Sequence, residues 1–232
     1  MKTIADLHMH TNVSQHAYST LDEMALEAKA RGLTAFAITD HGPGMTDGAL
    51  PLHFLCLRNL PERLYGIRFY KGAEVNIKSY NGQLDLSDSI LSQLDFVIAS
   101  YHIEAIAPST MSDHTRGLIS VLRNPHVDCL GHIGNPVFQC DYEHVVLECA
   151  REKKLIEINS NSFSVRPGSE ENCKAVARLC MKYRVPVIVS SDAHSKYAVG
   201  KHDEALKLLD SLSFPEDLIL NSSTDRLQQY FA

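Results

Sequence analysis

Apolar residues occur along the chain in two patterns. Some form short continuous runs, such as Phe36-Ala37-Ile38 and Val187-Ile188-Val189; others return every three or four positions over longer stretches. Short unbroken runs mark strands buried on both faces, and the longer spacing marks amphipathic helices. The pattern predicts seven strands: Thr3 to His8, Thr34 to Thr39, Arg68 to Ala73, Phe96 to Ser100, Val127 to Gly131, Leu155 to Asn159 and Val185 to Ser190. Between them it predicts helices over Leu21 to Arg31, Leu52 to Leu64 (less regular), Ser87 to Gln93, His114 to Arg123, Tyr142 to Lys153 and Ser169 to Tyr183, with a last helix over Asp203 to Leu212. Start and stop signals agree. Thr20 and Glu23 have capping-box spacing, Ser169 precedes Glu170 and Glu171, and Gly32 stands just past the first helix.

Strands that alternate with helices imply βαβ crossovers and a parallel sheet covered on both sides. No internal repeat and no Pro/Gly/Ser-rich linker divides the chain, so one domain over 1–232 is the expectation. A barrel and an open doubly wound sheet both suit this count of units. The polar residues help to choose.

The first strand runs into Asp6-Leu7-His8-Met9-His10-Thr11, where period-two alternation predicts Asp6, His8 and His10 on one face. The second ends at Thr39-Asp40-His41-Gly42, the third at Glu74, the fourth at Tyr101-His102, the fifth at Gly131-His132 and the last at Ser191-Asp192-Ala193-His194. The sixth closes on Asn159 and Asn161. In a parallel β/α barrel all strand C-termini surround one mouth, and that mouth is where active sites lie. Six of seven strand ends thus deliver His, Glu or Asp there, with His16 in the loop after the first. The other histidines, His53, His114, His126, His144 and His202, fall in helices or flanking loops and read as surface residues.

Composition narrows the function. The 232 residues carry 22 basic against 28 acidic side chains, a net charge of −6, which argues against a nucleic-acid surface. No apolar run is long enough to span a membrane, and a charge at Asp6 interrupts any leader-like start, so a cytoplasmic protein is expected. The six cysteines include no C-x-x-C pair and read as core packing, which speaks against a disulfide framework or a thiolate zinc site.

Neutral imidazole together with carboxylate suits Zn²⁺, with Mn²⁺ or Fe²⁺ as alternatives. His8, His10, His16, His41, Glu74, His102, His132, Asp192 and His194 are too many for one ion and would serve two or three, with Glu74 able to bridge a pair. Three divalent ions beside only two carboxylates make a cationic pocket that attracts phosphate, and metal-bound hydroxide supplies a nucleophile near neutral pH. Phosphoester hydrolysis follows, with Glu74, Asp192 and His194 as the expected catalytic residues. Asp6 and Asp40 are expected to orient imidazole N–H groups, direct metal contact by Asp40 being the alternative. Arg166, after the sixth strand, is a candidate phosphate contact against the plainer reading of an exposed loop arginine.

The segments Asp6-Leu7-His8-Met9-His10-Thr11, Thr39-Asp40-His41-Gly42, Gly131-His132 and Ser191-Asp192-Ala193-His194 resemble the four signature motifs of the PHP (polymerase and histidinol phosphatase) family. Through His16-Ala17-Tyr18-Ser19, Gly134-Asn135-Pro136 and Glu157-Ile158-Asn159, the chain is most similar to its short stand-alone phosphatases of the YcdX type. The resemblance implies a distorted seven-stranded (β/α)7 TIM-like barrel with a trinuclear metal centre, usually zinc, at the C-terminal mouth. It further implies that His8, His10, Glu74 and Asp192 hold one ion, His16, His41 and His194 a second, and Glu74, His102 and His132 a third. Ile133 and Ile103-Glu104 depart from those relatives on the pocket wall and bear on substrate choice.

The reading is therefore a phosphatase acting on a small phosphate monoester. Its alternatives are a 3′–5′ exonuclease or phosphodiesterase, a histidinol phosphatase, and a non-catalytic metal-binding regulator. A homo-oligomer is left open.

Overall fold

The computed structural model describes residues 1–232. The chain runs β1 (Ala5–Asp6), α1 (Leu21–Ala30), β2 (Ala35–Ile38), α2 (Pro51–Cys56), β3 (Arg63–Leu64), β4 (Ile67–Asn76), α3 (Asp88–Leu91), β5 (Phe96–Ser100), α4 (Met111–Leu122), β6 (Cys129–Leu130), α5 (Tyr142–Glu152), β7 (Leu155–Asn159), α6 (Ser162–Val165), α7 (Ser169–Tyr183), β8 (Val187–Ser190), α8 (Asp203–Ser211) and α9 (Thr224–Tyr230). Seven strands pair in parallel in the order β1-β2-β4-β5-β6-β7-β8, forming a nearly closed barrel with helices outside. β3 is an antiparallel addition to β4.

Local chemistry explains most boundaries. Thr20 and Glu23 form the expected capping box on α1, and Asp141 caps α5 through the His144 N–H. The predicted helix over Leu52 to Leu64 is the main correction. Pro51 opens α2, a single 3₁₀ turn follows at Leu57–Asn59, and Pro61 prevents continuation. Tyr65 and Gly66, at φ 52° and 90°, then make a left-handed turn that folds Arg63–Leu64 back onto Ile67 and Arg68.

The barrel interior is apolar below and polar above. Ala5, Leu7, Ala35, Ala37, Phe96 and Ile98 fill the lower half with Leu220 and Leu227, and Phe231 of the C-terminal segment stacks on Tyr70 beneath them. Phe36, Ile38 and Met9 face outward onto Met24 and Ala28 of α1. Ala5 and Leu7 thus share the interior with His8 and His10, whereas Met9 lies outside. The alternation slips between Leu7 and His8, where the β1 ladder has already ended, and Asp6 consequently does not share a face with the two histidines.

No ladder joins β8 to β1. At the top the gap is bridged by Met9 against Ala193, with the His10 N–H donating to the Ala193 carbonyl at 2.9 Å. Lower down it is filled by Asn221, fully buried, whose side-chain amide donates to the carbonyls of Ala5 and Val189 and accepts from the Val189 N–H. Its own carbonyl accepts from the Ile4 N–H. Asn221→Ala would leave three buried backbone groups unpaired, for an expected loss of about 3 kcal/mol. Urea unfolding with an unchanged slope would show it as a lower midpoint; a negligible shift would refute the role.

Five of the six cysteines are buried, Cys173 and Cys180 on the inward face of α7, and Cys56 alone is exposed. No helix is long and apolar enough to cross a membrane.

Candidate metal centre

The polar upper half of the barrel gathers all nine expected ligands. His8 and His10 follow β1, His41 follows β2, and Glu74 lies inside β4, which runs three residues past its predicted end. His102 follows β5, His132 follows β6, and Asp192 and His194 follow β8, with His16 reaching in from the first loop. Glu74 is the hub. Its Oε2 is 2.8 Å from His41 Nδ1, 3.3 Å from His8 Nε2 and 3.6 Å from His10 Nε2; its Oε1 is 2.9 Å from His132 Nε2 and 3.3 Å from His102 Nε2. Asp192 Oδ1 lies 3.2 Å from His10 Nε2 and 3.6 Å from His8 Nε2. Both carboxylates are buried, Glu74 completely.

The imidazoles are held by their far nitrogens. His8 Nδ1 donates to Glu157 Oε1 at 2.6 Å, His16 Nδ1 to Asp47 Oδ2 at 2.7 Å, His102 Nδ1 to Asn76 Oδ1 at 2.7 Å and His194 Nδ1 to the Asp192 carbonyl at 2.9 Å. Each partner can only accept, so each Nδ1 carries a proton, and in the neutral ring Nε2 is left with a lone pair. Two such lone pairs face each other, His16 and His194 Nε2 standing 2.9 Å apart, and His8 and His10 Nε2 are likewise only 3.0 Å apart. Two imidazole lone pairs at that distance repel unless a proton or cation lies between them. His10 Nδ1, His41 Nδ1, His102 Nε2 and Glu74 Oε2 are also buried without hydrogen-bond partners, a cost that ligation would remove.

Electrostatics favour the ligating forms. Burial alone would raise Glu74 and Asp192, but the surrounding imidazoles, His8 foremost, hold both carboxyls well below the usual range. Burial pushes His10 and His194 down, and burial aided by Arg166 brings His132 to about 4, so these rings are neutral at pH 7. His8 goes the other way: Glu157, Glu74 and Asp192 outweigh its burial and push it well up. Three sets could each hold an ion: His8, His10 and Glu74; His10, His41 and His194; and His41, Glu74 and His102. Two backbones in the cluster, His132 at φ 29° and Asp192 at φ 51°, lie in the left-handed region, as strained functional residues often do.

Arg166 is not an exposed loop residue. It ends α6, packs half-buried at the mouth and points both terminal nitrogens at Asp192 Oδ2, 3.4 Å away. It lines a cavity of about 500 Å³ with His16, His41, His102, Asp192 and His194, closed on the other side by Met45, Glu104 and Val165.

Neither Asp6 nor Asp40 orients a ligand imidazole. Asp40 accepts from the Thr11 N–H, Thr11 Oγ1 and Ser14 Oγ and faces His53, which is therefore half-buried rather than a surface residue. Asp6 faces Ser191, Gly200 and His202. His202 and His114 are buried, the latter donating to the Gln139 carbonyl, contrary to the expectation for both. The orienting work falls to Glu157, Asn76 and Asp47. Glu157 also accepts from the His132 N–H at 2.7 Å and from Ser190 Oγ. It sits two residues before Asn159 on the inward face of β7, and that alternation was the available signal.

Fold and site together define a parallel β/α barrel enzyme with a histidine–carboxylate cluster able to bind metal at its C-terminal mouth. A PHP domain profile matches residues 6–161. The chain is 47% identical over 230 residues to a probable phosphatase of Acetivibrio thermocellus, covering 99% of this chain and 95% of the relative. It is 45% identical over 225 residues to a probable phosphatase of Caldicellulosiruptor saccharolyticus, covering 97% and 94%. The fold is similar to that of histidinol phosphate phosphatase from Lactococcus lactis, solved with zinc, L-histidinol and phosphate, at a TM-score of 0.66 with 17% identity over 93% of this chain and 95% of that one. The chain belongs to the PHP domain family and, with these relatives, to its metal-dependent phosphatases.

Proposed function

We propose that the protein hydrolyses a small-molecule phosphate monoester on a trinuclear zinc centre built from His8, His10, His16, His41, Glu74, His102, His132, Asp192 and His194. The observation that carries this reading is the convergence of imidazole nitrogens, His16 and His194 lone pair to lone pair and His8 against His10 at 3.0 Å, beside a completely buried Glu74. Of the ion sites implied by resemblance, that of His8, His10, Glu74 and Asp192 agrees with one of the converging trios, whereas the other two trios, His10, His41 and His194 and His41, Glu74 and His102, draw ligands from more than one implied site. Divalent ions bound there would lower the pKa of water to about 7 and neutralise phosphoryl oxygens.

The chain's own groups do the rest. Arg166 is placed to take a phosphoryl oxygen as a planar donor once Asp192 turns to its ligand role. Glu74 and Asp192 would share the ions with the imidazoles around them, and Glu157, Asn76 and Asp47 fix those rings of His8, His102 and His16. The leaving alcohol would lie against Met45, Val165 and Ala198, a small wall suited to a small organic group.

Elemental analysis paired with p-nitrophenyl phosphate hydrolysis tests the proposal. The expected result is about three divalent ions per chain, turnover abolished by chelation and restored by Zn²⁺ or Mn²⁺, and none in a His8→Ala/His194→Ala double variant. Full metal content without monoester turnover would move the reading to diesters or to a binding role. Undiminished turnover without metal would end it.

A further inference from the structure

The segment leaving β8 delivers two cluster residues, Asp192 and His194, yet no strand ladder holds it beyond the single bridge at Ala193. Asp192 occupies the left-handed region, which residues bearing a side chain rarely adopt, so its surroundings must impose that backbone. Asp6 is placed to do so. Its fully buried carboxylate accepts from the Ser191 N–H at 3.2 Å and from Ser191 Oγ, gripping the residue next to Asp192 by both backbone and side chain. The same carboxylate accepts from the Gly200 N–H at 2.9 Å and faces His202 Nε2 at 3.3 Å. One side chain thus ties together both ends of the loop that carries Asp192 and His194.

His202 completes the arrangement. It is 2% exposed, and its Nδ1 is 2.6 Å from Thr3 Oγ1, which anchors it to the start of the first strand. Asp6 and His202 take their polar partners from Ser191, Gly200, Thr3 and each other, not from the nine ligands, and the phosphatase reading uses neither. A buried carboxylate outside the metal cluster, with three donors bonded to it and an imidazole nitrogen 3.3 Å away, is a costly feature. What it secures here is the geometry of one loop.

We infer that Asp6 and His202 are positioning residues that act through Ser191 and Gly200 to set where Asp192 and His194 present their ligand atoms. The inference rests on the metal-centre reading above. On that reading the loop serves the ion shared with His8 and His10 and the ion shared with His16 and His41, but not the one on His102 and His132.

The test compares metal content, zinc affinity and the unfolding temperature of the zinc-free protein for wild type, Asp6→Asn, His202→Ala and His202→Gln. Asp6→Asn and His202→Ala are expected to weaken zinc affinity by about 10–100-fold, with metal content falling toward one ion per folded chain. His202→Gln keeps a donor near the Nε2 position and is expected to recover most of the affinity lost in His202→Ala. If Ala and Gln behave alike, lowering the unfolding temperature while the folded protein keeps its wild-type ion count, the pair is merely structural and the inference falls. Where Asp6→Asn or His202→Ala does not fold, Ser191→Ala removes only one hydroxyl from Asp6, and unchanged zinc affinity in that variant overturns the inference equally. Wild-type protein that binds no zinc would instead overturn the metal-centre reading itself.

Discussion

Glu74→Gln is expected to lower kcat/KM on p-nitrophenyl phosphate by about 1,000-fold or more, roughly 4 kcal/mol of transition-state stabilisation. No other side chain approaches five imidazoles: His8, His10 and His41 face one oxygen, His102 and His132 the other. Glutamine keeps the volume but removes the charge and turns one oxygen into an N–H donor. In a metal-loaded site that N–H would face a cation, which it cannot ligate and which repels it. Glutamine's remaining oxygen could serve one ion but not bridge two, so metal content should fall together with turnover. Glu74→Gln with full zinc and wild-type turnover would exclude a bridging role.

Zinc uptake at pH 7 is expected to expel a proton, and affinity to fall about tenfold per pH unit for each proton displaced as the medium is acidified. The sign follows from His8. Glu157, Glu74 and Asp192 outweigh burial and raise its pKa in the metal-free cluster, so it is protonated at pH 7 and must release that proton before it ligates. Affinity therefore rises with pH until the raised value is passed. His10 and His194, lowered by burial, and His132, brought to about 4, have no proton to give in that range, while Glu74 and Asp192 are already anionic. Calorimetric titration in buffers of different ionisation enthalpy measures the count directly. Heats that do not change with the buffer would contradict this assignment.

Much of this was legible because strand ends advertise themselves. A His or Glu just beyond a short apolar run needs no tertiary information to be placed at a barrel mouth. The partners of those residues were harder to see. Glu157 looked like an ordinary strand residue, since its role depends on β6 and β7 being neighbours, and Asp47 lies in a loop whose path no local rule specifies. Asp6 was misplaced for a local reason: alternation was extended through Leu7 into His8, although the ladder that enforces alternation stops at Asp6. His202 and His114 were read as surface because their helices alone do not reveal what packs over them. The false helix through Leu64 shows the converse, where Pro61 and Gly66 carried a stop and a turn that apolar spacing outweighed.

The way the barrel closes has a consequence for how the chain is made. Asn221 reaches Ala5 across 216 positions, and Met9 meets Ala193 across most of the sequence, so β1 acquires its second neighbour only when nearly all of the protein has been synthesised. Every ligand of the metal cluster, from His8 to His194, has by then been added, yet the wall behind them is still split along one seam. A nascent chain at that stage carries two unpaired strand edges, β1 and β8, which can pair with other chains until Ile219–Asn221 arrives. Closure that depends on contacts so distant in sequence is slow. A chain cut short before Ile219 would therefore carry every ligand of the cluster in a barrel left unsealed, and is expected to aggregate where the full chain does not.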